Sequence, residues 1–148
     1  DWADTTMAST CKKVLITSAF KNSQLRSALL PDDFPSSIKG VIDKLPFNNV
    51  SKLSNIVLSN KNNIDLQKIL EALSKSLQKK EFLIGDSLSI ADISIAAQLS
   101  LLKFPTSAGP ILAGEGCQEF INNPYLENIF QWRDNLEELI FSAKSQKI

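Results

Sequence analysis

The stretch Phe82-Leu83-Ile84-Gly85-Asp86-Ser87-Leu88-Ser89-Ile90-Ala91-Asp92-Ile93 constrains the fold more than any other part of the chain. Ser89 and Asp92 stand in the spacing of a capping box. The serine hydroxyl accepts from the N–H of Asp92 and the carboxylate reaches back to the N–H of Ser89, with Asp in place of the usual Glu or Gln. Leu88 and Ile93 fall at the two positions of a hydrophobic staple, which fixes the angle at which the chain enters the helix. The run that follows, Ile90 to Phe104, is apolar nearly all round. Such a helix is expected to be surrounded by others, so the rest of the chain has to supply its neighbours.

The rest of the chain has the periodicity to do so. Met7, Cys11, Val14 and Leu15 recur at three- and four-residue steps and predict a helix from Trp2 to about Asn22. A shorter helix is predicted from Gln24 to Leu30, closed by Pro31. Ile38 to Leu45 and Ser51 to Leu58 have helical spacing over short lengths, and the polar Ser59 to Asn63 reads as a loop. Asp65 is a plausible N-cap for a helix carrying Leu66, Ile69, Leu70, Leu73 and Leu77 on one stripe. Pro105 stops the central helix, and the segment to Gly116 holds three of the five glycines. Asn123 and Pro124 suit the cap and first turn of a last helix bearing Leu126, Ile129, Phe130, Leu136 and Ile140. No convincing period-2 run appears, so the expected fold is all-α, a bundle of five to seven helices.

With 148 residues, the chain fits one domain, long enough to bury about two-thirds of its unfolded surface. Sixteen basic residues balance sixteen acidic ones. With no long Lys/Arg run, a nucleic-acid partner is not expected. The longest apolar run contains Asp92 and Gln98 and is shorter than the roughly 20 residues that span a bilayer, so no membrane partner is expected either. Cys11 and Cys117 are far apart in sequence and read as reduced core thiols of a cytoplasmic protein.

Chemistry is sparse. The sequence has no histidine, which removes imidazole bases and the commonest zinc ligand, and no metal site is expected. Gly109 to Gly114 matches the start of a phosphate-binding loop, but Glu115 and Gly116 replace its Lys and Ser/Thr, leaving a chance match. The pairs Asp32-Asp33 and Glu137-Glu138 read as solvated charge, and Trp132 as a core residue. Asp92 reads as a folding residue and not a catalytic one.

Taken in order, Asp1-Trp2-Ala3-Asp4, the helix leading into Phe82, the capped helix after Ser89, and Pro124-Tyr125-Leu126 followed by Trp132-Arg133 resemble the C-terminal domain of cytosolic glutathione S-transferases. The resemblance covers nearly the whole chain, and between Pro31 and Asn63 it is closer to bacterial and cyanobacterial members. It implies that residues 1–148 are one domain of a longer, two-domain protein whose N-terminal thioredoxin-like domain, the site of thiolate activation, lies outside this sequence. Glutathione is then a co-substrate of the parent protein, no cofactor is bound by this domain alone, and no catalytic residue falls within it. The resemblance further implies a homodimer, and a first helix whose face, drawn from Trp2, Thr5, Thr6 and Ser9, lines the electrophile pocket. The alternative is a non-catalytic interaction module like those of translation elongation factor and aminoacyl-tRNA synthetase complexes.

Overall fold

The computed structural model describes residues 3–31 and 60–145, together with Asp33, Pro35, Ser36, Lys39, Gly40 and Lys44. The helix expected over 51–58 lies outside the described residues, and the one over 38–45 lies largely outside them. A π-helical turn, Ala3–Met7, leads into α1 (Ala8–Lys21), followed by α2 (Ser23–Ala28), α3 (Asn60–Leu77), α4 (Ile90–Leu102), α5 (Gln118–Ile121) and α6 (Glu127–Ser145). Single 3-10 turns, Thr106–Ala108 and Pro124–Leu126, precede α5 and α6. Among the described residues there is no strand, and the fold is all-α.

α1 and the π-helical turn pack against α4, α3 packs against α6, and α4 packs against α6. The core between them holds Met7, Cys11 and Val14, then Leu66 and Leu70, Ile95, Leu99 and Leu102, and Ile129 and Phe130, all buried. Each such leucine or isoleucine contributes about 1.5–3 kcal/mol relative to an exposed one.

Side chains mark the joints between helices. Asn22 closes α1, its N–H donating to the Ser18 carbonyl, and opens α2, its Oδ1 accepting from the N–H groups of Gln24 at 2.9 Å and Leu25 at 3.3 Å. Pro105 has no N–H to continue α4 and disfavours helical geometry at Phe104. α4 accordingly ends at Leu102, two residues before the predicted end. Lys103 turns extended and forms an isolated antiparallel bridge with Gly116. The N–H of Cys117 donates to the Leu102 carbonyl at 2.8 Å, and a Cβ added to Gly116 would lie 2.2 Å from that same oxygen. Only glycine allows the returning chain to come so close.

Two expectations need correcting. Asn60 to Asn63 is not a loop, because α3 begins at Asn60, ahead of Asp65. Lys61 is a good helix former and the asparagines are weak ones, and the buried stripe of Leu66, Leu70 and Leu77 carries the helix backward through them. Ile69 lies off that stripe and is exposed. Nor is α4 surrounded on all sides, since Ile90 is 78% exposed and Ile93 42% exposed. Burial is confined to the face of Asp92, Ile95, Ala96, Leu99 and Leu102.

Candidate functional site

The start of α4 is a closed hydrogen-bond system centred on Asp92, which is wholly buried. Ser89 has extended backbone geometry, accepts from the N–H of Asp92, and returns both its own N–H, at 2.8 Å, and its hydroxyl to Asp92 Oδ2. The other carboxylate oxygen, Oδ1, accepts from the N–H of Leu83 at 2.7 Å. Burial raises the carboxyl pKa, but the hydrogen bonds from Leu83 and Ser89 outweigh it and hold Asp92 below its ordinary value. Both carboxylate oxygens are engaged by donors that hold the chain, a structural use of the group. Leu88 and Ile93, the staple positions, are respectively 36% and 42% exposed.

A second buried charge closes the far end of α4. Arg133, on α6 and fully buried, donates from Nη1 to the Lys103 carbonyl and, at 3.5 Å, to Ser100 Oγ. Its Nε donates to Asp134 Oδ1 at 2.8 Å. Nη2 lies as close to that oxygen, a charge contact outside hydrogen-bond geometry. The guanidinium and the Lys103 ammonium also lie 5.7 and 5.5 Å from the centre of the Phe130 ring. Arg133 therefore satisfies the Lys103 carbonyl, which lies past the last turn of α4. Longer-range ties run beside it: Ser107 Oγ donates to Glu137, Asn123 Nδ2 donates to Glu71, and Asn128 Nδ2 donates to the Ser74 carbonyl.

Cys11 and Cys117 are both free and fully buried. Far apart in sequence, they are near enough in the fold for the charge of one to act on the other. Burial, reinforced by Cys117, pushes the Cys11 thiol up to about 12, and burial pushes Cys117 to about 11. Neither is poised as a nucleophile.

Of the four residues in the first-helix group, Trp2 lies outside the described residues. Thr5, Thr6 and Ser9 are exposed around the junction of the π-helical turn and α1. The structure does not join this group to Ser89 and Asp92. Trp132 is 7% exposed and donates its indole N–H to the Glu81 carbonyl at 2.8 Å. In the Gly109 to Gly114 turn, the N–H groups of Gly109, Ala113 and Gly114 already donate to nearby carbonyls.

Two of the clefts among the described residues adjoin the helices. One, of about 220 Å³, lies between the end of α3 and α6, lined by Leu77, Trp132, Leu136 and Leu139 with Lys80 and Glu81. The other, of about 400 Å³, separates α2 from the loop around Ile111. No titratable group with a shifted pKa lines either, so neither is an assembled catalytic site. Among the described residues no group of Cys, Asp and Glu side chains stands together as a metal site, and no helix is long and apolar enough to cross a membrane.

Sequence reading had no access to the Leu83, Arg133 and Asn123 contacts, which join residues distant along the chain. Comparison with protein families gives a match to the model described as glutathione S-transferase, C-terminal domain, over residues 47–139. Searches of curated proteins and of solved structures give no match. The family match spans more than half of the chain and takes in the capped helix, the Gly116 bridge and the Arg133 clamp, so the chain belongs to the glutathione S-transferase C-terminal domain family.

Proposed function

We propose that this domain forms the helical wall of the electrophile pocket in a glutathione transferase-like protein of the cytoplasm, and contributes to its homodimer interface. Glutathione is bound, and its thiolate activated, by a thioredoxin-like domain of the same protein. The thiolate sulfur attacks the electrophile while the electrophile's far side rests against α1. The observation that carries this reading is the exposure of Thr5, Thr6 and Ser9 at the start of a helix whose other face, through Met7, Cys11 and Val14, is fixed in the core. A rigid helix with one hydroxyl-bearing face open is suited to line a pocket completed by another domain. All the buried ionisable groups described above are used structurally, in keeping with a domain that does not catalyse by itself.

Introducing bulk on that face tests the reading. In the two-domain protein, Thr6→Trp and Ser9→Phe should raise KM for the electrophile several-fold while leaving KM for glutathione unchanged. Equal KM values for both substrates in variant and wild type would overturn it.

A second reading, a non-catalytic interaction module, is favoured by the exposed apolar side chains Ile84 and Ile90, 66% and 78% accessible on the loop and first turn of α4. It requires that no glutathione binding accompany the full protein.

A further inference from the structure

We draw no further inference here: the strongest candidate, the cleft between the end of α3 and α6 floored by Leu77, Trp132 and Leu136, has Lys80 and Glu81 opposing one another in charge on its lining and its Gln131 amide donating to Asn135, so nothing in the structure shows what would cover it.

Discussion

The N–H of Leu83 donates to Asp92 Oδ1 across nine residues of sequence, so one carboxylate both caps α4 and anchors the loop that delivers the chain to it. A cap that served only its own helix would hold one turn. This one also ties the start of α4, a helix packed against α1, to the loop at Leu83.

Asp92→Ala should therefore cost more than an ordinary cap. Loss of the box, the Ser89 N–H bond included, accounts for about 1 kcal/mol, and leaving the part-buried Leu83 N–H without its acceptor adds about 1 kcal/mol more. Ser89→Ala, which leaves Leu83 paired, should cost about 1 kcal/mol. Urea unfolding of the two variants checks this ordering, and equal losses would show that the Leu83 bond contributes nothing.

The same carboxylate sets an acid limit. Its pKa is lower folded than unfolded, so the folded state favours the charged form. Its contribution is complete above the unfolded value of about 3.9 and is lost as pH falls through the lower folded value. The stability gap between wild type and Asp92→Asn should be constant from pH 7 to 5 and narrow below pH 4. Denaturant midpoints measured along that range give the comparison.

Arg133→Ala should destabilise by about 3–5 kcal/mol, since it opens a cavity and strips the Lys103 carbonyl of its donor. Arg133→Met, which keeps much of the volume, should be milder. An Ala variant as stable as the Met variant would mean that side-chain volume counts for little at this position. Thermal unfolding of both separates filling from hydrogen bonding.

Cys11 and Cys117 should resist a thiol-specific reagent at pH 8 in the native protein and react together on unfolding. Their folded pKa values, about 12 and about 11, exceed the unfolded value, so their contribution is whole below roughly pH 8.5 and fades as pH rises toward those values. Labelling rates with and without denaturant measure the protection directly.

How much of this was legible in the sequence depends on the distance over which each contact acts. The capping box spans three residues and follows from spacing alone. The all-α architecture follows from stripes such as Leu66, Leu70 and Leu77. An all-apolar helix carries no periodicity to say which face is covered, and so Ile90 and Ile93 were expected inside. Asn60 to Asn63 read as a loop because local composition is silent about a helix sustained by packing further along. The approach of Cys11 to Cys117 and the clamp of Arg133 on Lys103 are products of tertiary placement, beyond any local pattern. The first-helix face was read from resemblance, since threonines and serines on an open helix carry no motif of their own.

The central claim is that this domain builds a pocket but does not activate the thiol. Its most direct test is glutathione conjugation and retention on immobilised glutathione, measured side by side for the 148-residue chain and for the proposed two-domain protein that extends it. The account predicts retention and turnover by the extended protein, and neither by the isolated domain. Conjugation by the isolated domain clearly above the uncatalysed rate, or failure of the extended protein to bind glutathione, would contradict it.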